Sequence, residues 1–240
     1  MEPQKQKTSF VLGGSLIISA MIFSFAFYAS RNSTDSLSVT GSANKEVVSD
    51  NAKFSAEFSR IVKISALKAG YDQIAKDLVI VKDFLKEQGV DDKDVTISTV
   101  SMNENYNYNQ NYQTEKEYTL RQQVEVSSSD IDKMTLLSQL SKSVVDKGVI
   151  FGINPVQYYY TKLPELRVSL LSDAIKDAQA RAQKMAESTG KKVGSLKSAA
   201  SGVVQVLSSN SLEISDYGTY DTSKINKNVM VTVRAAFDIK

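Results

Sequence analysis

Residues 163–194 read LPELRVSLLSDAIKDAQARAQKMAESTGKKVG, and this stretch decides the fold. Pro164 suits the first turn of a helix and Gly190 suits a helix end, so the stretch predicts one long helix. Its apolar residues recur three or four positions apart and form one stripe: Leu171, Ala174, Ala178, Ala182, Met185 and Ala186. Because most of this stripe is alanine, we expect the helix to lie close against a sheet, with the two larger side chains packing at either end.

The alanines of this helix, followed by Thr189-Gly190-Lys191-Lys192-Val193-Gly194, resemble the signature helix and exit turn of the SIMPL-domain family. That family is mostly bacterial and was long classed as a domain of unknown function. Further matches follow the family's order along the chain: Val39–Ala43, Gly89-Val90, Asp94–Thr99 and Gly152-Ile153. The resemblance covers about residues 37–240, and residues 103–113 and 208–223 depart from it. It implies self-assembly into homo-oligomers or partner binding at the cell envelope, with a role in envelope or stress physiology.

The composition argues against catalysis and against nucleic acid. The chain of 240 residues contains no cysteine and no histidine, which removes thiolate chemistry, the commonest general base and the commonest transition-metal ligand. The net charge is +2, and the basic residues are interleaved with acidic ones rather than clustered. We therefore predict a protein that is not an enzyme, with no catalytic residue, no cofactor, no metal and no nucleic-acid partner.

The N-terminus carries a membrane signal. Residues 1–9 are polar and are predicted to lie in the cytoplasm, and Phe10 to Ala29 then run for 20 residues without a charge. As a helix this segment would be about 30 Å long, the thickness of the hydrocarbon core of a bilayer. A transmembrane anchor is favoured, with a cleaved signal peptide ending near Ser24-Phe25-Ala26 as the alternative. Either places the remainder of the chain outside the cytoplasm, at the inner membrane or, after cleavage, secreted or free in the periplasm.

The rest of the chain predicts an α+β fold. After a tether at residues 30–36, the order of elements in the single domain 37–240 is ββ-α-ββ-α-β-α-ββ. We expect a mostly antiparallel sheet with helices packed on one face, in split βαβ-like units. Residues predicted to face the core include Phe54, Ala56, Phe58 and, as a further candidate, Ile61 on one strand, Tyr71 and Ile74 on the first helix, and Leu137 and Leu140 on the second.

Two polar segments stand outside this pattern. Residues 103–116 read NENYNYNQNYQTEK, in which Tyr106, Tyr108 and Tyr112 alternate with amide residues. They form either a contact surface for another subunit, an envelope protein or a glycan such as a peptidoglycan fragment, or an extended hairpin tip. Residues 208–227 predict a loop that is flexible or ordered by a partner. Self-assembly or partner binding is thus the predicted function, with glycan binding by the tyrosines as the alternative.

Overall fold

The computed structural model describes residues 3–31, 36–105, 115–140, 142–209, 211 and 215–240, and within the first helix it describes the side chains of residues 13–28. The helices are α1 (Pro3–Arg31), α2 (Leu67–Glu87), α3 (Ile131–Leu140), α4 (Lys142–Asp146) and α5 (Leu163–Glu187). The strands are β1 (Ser36–Val48), β2 (Asn51–Lys63), β3 (Val95–Ile97), β4 (Ser101–Asn105), β5 (Glu117–Ser128), β6 (Ile150–Ile153), β7 (Gln157–Tyr159), β8 (Val193–Ser208), β9 (Thr219–Tyr220) and β10 (Asn226–Ile239). The predicted α+β class is confirmed.

The described strands form two sheets, so the prediction of a single sheet was wrong. One sheet has the order β1-β10-β8-β9, and the other has the order β3-β5-β2-β6, with β4 beside β5 and β7 beside β2. Only Ser49 and Asp50 separate β1 from β2, but other segments hold both residues. The Ser49 N–H donates to the Ile225 carbonyl oxygen (2.9 Å), and the Asp50 carboxylate accepts from the N–H (2.7 Å) and the hydroxyl (2.9 Å) of Thr161. The two strands therefore enter different sheets instead of folding into a hairpin.

The sheet built on β2 has helices on one face, as predicted. β2 and β5 pair antiparallel, with Phe54 opposite Val126. The buried core joins β2 to α2 and α3 through Ala52, Phe54, Ala56, Phe58, Ile74, Val81, Phe84, Leu85, Met134 and Leu137. Ile61, Tyr71 and Leu140 are 62%, 40% and 38% exposed, so their predicted burial was wrong. Each lies near one end of its helix or strand. The spacing of apolar residues cannot show that the layer packed against the helix or strand does not extend that far.

Helix α5 confirms the predicted long helix and corrects its buried stripe. It ends at Glu187, three residues before Gly190, which has a φ of +69°. The buried positions recur strictly every fourth residue: Leu166, Leu170, Ala174, Ala178, Ala182 and Ala186. With 3.6 residues per turn, a spacing of four rotates the buried face by about 40° at each step. Met185 lies off this face and is 51% exposed, so its predicted packing role was wrong.

The chain divides into two compact units, one of residues 1–42, 173–202 and 233–240 and the other of residues 43–172 and 203–232. In the first unit, parts of β1, β10 and β8 lie side by side in that order, and α5 packs on them. The core of this unit is small and consists of Val39, Ala178, Ala182, Ala235 and Phe237. The second unit contains the sheet built on β2 and the remaining apolar clusters.

The N-terminal helix α1 contains the predicted membrane segment. The described side chains from Gly13 to Tyr28 are all exposed. Among the described residues, no helix is both long and apolar enough to cross a bilayer. The transmembrane prediction therefore has no support from this part of the chain.

Gly41 sets the distance between β1 and α5. A Cβ atom at this position would fall on the Ala174 carbonyl oxygen and the Ala178 backbone nitrogen, and 2.8 Å from the Ala178 Cα. These are backbone atoms of a packed helix and cannot rotate away. The close approach therefore requires glycine on the strand and small residues on the helix.

We expect Gly41→Ala to lower the free energy of unfolding by about 3 kcal/mol, because the methyl group forces α5 away from β1. Gly152→Ala is the matched control, since its Cβ would lie 3.6 Å from its nearest neighbour, the Glu57 side chain. Thermal and urea unfolding of the two variants measures the difference. Equal stabilities would contradict the packing described here.

Candidate functional site

The predicted contact residues Tyr106, Tyr108 and Tyr112 lie outside the described residues, so their role stays a prediction. Phe10 and Ala29, the ends of the predicted membrane segment, both belong to helix α1. The structure describes their backbone but not their side chains. Among the described residues, no group of three or more His, Cys, Asp or Glu is placed to hold a metal ion.

The first half of β8 is exposed on both faces. Residues 195–201, with the sequence SLKSAAS, are all exposed, although the side chains of a strand point alternately to opposite faces. Buried positions begin only at Gln205. A strand inside a folded domain normally buries at least one face, but in the part of the chain that the structure describes no layer covers this half of β8.

The same part of β8 also has an open edge. β10 lies on one side, and β9 pairs on the other side only at Gln205 and Val206. Among the described residues, no strand lies beside residues 195–201 on that side. The one charged residue there, Lys197, points its ammonium at Asp238 of β10 (3.0 Å). The open edge is therefore not blocked by an outward charge or a proline, the usual protection of edge strands.

β1 forms the opposite edge of this sheet. The Ser42 N–H donates to the Asp177 carboxylate of α5 (2.8 Å), so it is not used for pairing with β10 and we place it on the open side of β1. Because backbone groups alternate in direction along a strand, Thr40 and Ser38 present theirs on the same open side. Residues 36–42, SLSVTGS, carry no charge. The Ser42 N–H and the Arg181 guanidinium (2.8 Å) together lower the pKa of Asp177 below its ordinary value.

A groove runs between this edge and α5. It has a volume of about 620 Å³ and is lined by Val39, Thr40, Ala180, Arg181, Gln183, Lys184, Met185 and Glu187. The half-exposed Met185, wrongly predicted to be buried, lies in this groove. A groove between an edge strand and a helix is the geometry in which proteins accept an additional strand.

The SIMPL family, described as a protein of unknown function (DUF541), matches residues 37–236. The chain belongs to the SIMPL family. The match spans most of the chain and confirms the resemblance drawn from the alanine helix and its exit turn. No curated protein matches the chain significantly.

The SIMPL chain holds much of its 208–227 segment in place through a buried lysine. Lys227 is fully buried, and its ammonium donates to the carbonyl oxygens of Asp221 and Lys224 and lies 5.6 Å from the Tyr220 ring centre. Burial lowers the pKa of Lys227. A buried lysine with a lowered pKa is a candidate for catalysis, but these contacts occupy its ammonium. We assign it to fixing the segment, which sequence reasoning had treated as a loop.

A second buried charge in the SIMPL fold is structural. Asp77 of α2 is fully buried and accepts from the Nε (2.6 Å) and a terminal nitrogen (2.8 Å) of Arg60 on β2. The same terminal nitrogen of Arg60 donates to the Gly148 carbonyl oxygen (2.8 Å). The hydrogen bonds from Arg60 to Asp77 raise the pKa of the guanidinium. This pair joins a helix, a strand and a turn, and the Gly148 bond fixes its geometry.

Sequence reasoning placed β8 and β1 as strands but did not single out their edges. A signal was present in SLKSAAS, which lacks the alternation of apolar and polar residues expected of a half-buried strand. Apart from Leu196 and Lys197, the side chains there are small and uncharged, which is unusual for a strand exposed on both faces.

We expect Asp177→Asn to lower stability at pH 7 by up to about 1 kcal/mol, because the amide keeps the shape but loses the charge. The lowered pKa of Asp177 stabilises the fold above about pH 4, and this contribution is lost as the pH falls through the folded-state pKa. The two proteins should therefore converge in stability as the pH falls well below 4. Thermal unfolding across this range measures the effect.

Asp173→Asn is the control for this comparison, since Asp173 is an exposed residue of the same helix that pairs with Lys176 (3.1 Å). Its stability should follow that of the wild type across the pH range. A difference between wild type and Asp177→Asn that is independent of pH would contradict the role given to the charge.

Proposed function

We propose that this SIMPL chain is a non-enzymatic protein of the cell envelope that acts by assembling with copies of itself. One observation carries the proposal: residues 195–201 of β8 are exposed on both faces and along one edge. An edge of this kind pairs readily with another strand, and proteins that stay monomeric usually block it. Family membership agrees with the proposal without specifying an activity.

The location outside the cytoplasm rests on the sequence of residues 10–29, which contains no charge. Among the described side chains of this segment, large apolar groups such as Phe23 and Phe25 are more than 70% exposed. A bilayer or the export machinery would cover such groups. The lysines at positions 5 and 7 favour a cytoplasmic N-terminus, which leaves the remainder of the chain outside.

The proposed partner is a second copy rather than nucleic acid or a small-molecule substrate. The near-neutral charge balance gives no electrostatic basis for binding nucleic acid. The buried ionisable side chains Asp77 and Lys227 both have partners within their own chain. Glycan binding by the tyrosines between residues 106 and 112 stays a prediction, because those residues lie outside the described ones.

We expect the full chain, purified in mild detergent, to be an oligomer by light scattering at micromolar concentration. The double variant Ala199→Lys, Ala200→Lys should be a monomer, because two lysines on the open strand repel an incoming strand. Both positions are exposed, so neither lysine enters the core. Circular dichroism should show unchanged secondary structure.

Ser169→Lys, Ser172→Lys is the matched control, since it adds the same charge at exposed positions of α5. This variant should assemble like the wild type. A wild-type chain that stays monomeric would refute self-assembly, and an oligomer that survives the lysines on β8 would refute the role of that edge.

The location has a separate test. With the chain expressed in intact cells, a protease added after the outer membrane is opened should digest residues 37–240, while a cytosolic marker stays intact. This follows if the uncharged segment carries the domain across the inner membrane. Full protection until the cells are lysed would show that the domain is cytosolic.

A further inference from the structure

We infer that the strand accepted by the open edge of β8 is the β1 edge of a second copy, which makes the contact between copies head-to-tail. The inference rests on the proposed self-assembly and adds which two surfaces meet. Both edges belong to the same compact unit and to the same sheet. Pairing them would continue that sheet from one copy into the next.

The two edges match in charge and in the size of their side chains. The sets compared are residues 36–42 of β1 and residues 195–201 of β8. The first set is uncharged, and in the second Lys197 is paired with Asp238. Serine, threonine, alanine and glycine dominate both sets, so two backbones can approach to hydrogen-bonding distance without a bulky or charged side chain between them.

The groove beside β1 gives the incoming strand a place for its side chains. Leu196 of β8 is 45% exposed and is not among the described residues that form the apolar core of its unit. The groove offers Val39, Ala180 and the half-exposed Met185 as apolar contacts. Joining the two surfaces would remove the exposed leucine and methionine from water together.

Asp177 limits where the two strands can pair. Its carboxylate takes the outward N–H of Ser42, so an incoming strand meets the backbone only at Thr40, Ser38 and residues nearer the start of β1. This stop helps to fix the register, which an unblocked edge of small residues would leave free to slip.

A head-to-tail contact uses both open edges of every copy. Pairing of β8 with β8 across a two-fold axis would cover one edge and leave β1 and its groove exposed in the dimer. A contact between unlike surfaces repeats from copy to copy and ends only when a ring closes. Neither edge carries an outward charge or a proline that would block pairing. Pairing of β8 with β1 therefore explains both open edges, whereas pairing of β8 with β8 explains one.

Cysteine cross-linking tests the pairing directly, because the natural chain has no cysteine. Ser38→Cys on β1 and Ser198→Cys on β8 are both at exposed positions. The two full-length variants, carrying different tags, are co-expressed, purified in mild detergent and treated with a short bismaleimide. We expect the yield of cross-linked mixed dimer to exceed that of either same-variant dimer by about tenfold, because pairing of β1 with β8 holds the two different cysteines at a high effective concentration.

Complementation of blocked edges provides a second test. Thr40→Pro removes an outward N–H from β1 and leaves its bonds to β10 in place, so this variant keeps only the β8 edge. Ala199→Lys, Ala200→Lys keeps only the β1 edge. Each variant alone should be a monomer, and an equal mixture should form a dimer of twice the mass. Thr40→Ala, which keeps the N–H, should assemble like the wild type.

The outcomes separate the two proposals. A monomeric wild type would overturn self-assembly and this pairing with it. An oligomeric wild type in which Ser198→Cys cross-links to itself as strongly as to Ser38→Cys would overturn the pairing alone. So would a Thr40→Pro variant that assembles fully while circular dichroism shows it to be folded. A mixed cross-link together with a dimer from the two blocked variants supports the pairing.

Discussion

The first unit of the structure depends on the contact between Gly41 and the backbone of α5 at Ala174 and Ala178. A strand and a helix this close leave no room for a larger side chain between them. The contact therefore depends on glycine in the strand and alanine in the helix. The absence of side chains also determines where polar groups fall. With the backbones this near, the Asp177 carboxylate reaches the Ser42 N–H, and the groove lies beside the preceding strand residues Val39 and Thr40.

A contact made of small residues stabilises little by hydrophobic burial. Among the described residues, the buried core of the first unit has one large side chain, Phe237, with valine and alanine around it. The second unit buries several phenylalanines and leucines from four elements, β2, α2, β5 and α3. Since stabilisation by burial scales with apolar area, the first unit is the weaker of the two by itself. Additional strands on its open edges would supply backbone hydrogen bonds and cover apolar surface that the unit cannot cover alone.

The sequence predicts the helices and strands of this fold better than it predicts which strands pair with one another. The sequence correctly placed Phe54, Ala56 and Phe58 of β2 and Ile74 of α2 in the core, and it correctly placed Gly190, which has a positive φ, at a helix end. These signals are local, because they depend on a single element having one buried side. The separation of β1 and β2 into two sheets depends on bonds from Thr161 and Ile225 to two residues between them, and nothing in the local pattern contains those bonds.

The candidate site was harder to predict for the same reason. An open edge is a property of the sheet, and it exists only once the order β1-β10-β8 is known. Met185 shows how a local rule fails there: spacings of three and four placed it on the buried stripe, but the observed stripe advances strictly by four. The sequence could not show that Lys227 is buried either. Its carbonyl partners belong to a turn that the lysine itself holds in place.

The two units differ in the side chains on their exposed sheet surfaces. The outward face of β2 and β5 carries ion pairs, between Lys53 and Glu125 (2.7 Å) and between Arg121 and Glu57 (3.5 Å). Charged side chains on a sheet keep it in water and discourage another sheet from stacking on it. The edges of the first unit have serine and alanine where such charges would protect them. Charged side chains thus protect the sheet of the second unit, whereas small uncharged ones line the edges of the first. This difference is the reason for proposing that the first unit, rather than the second, contacts another copy through its backbone.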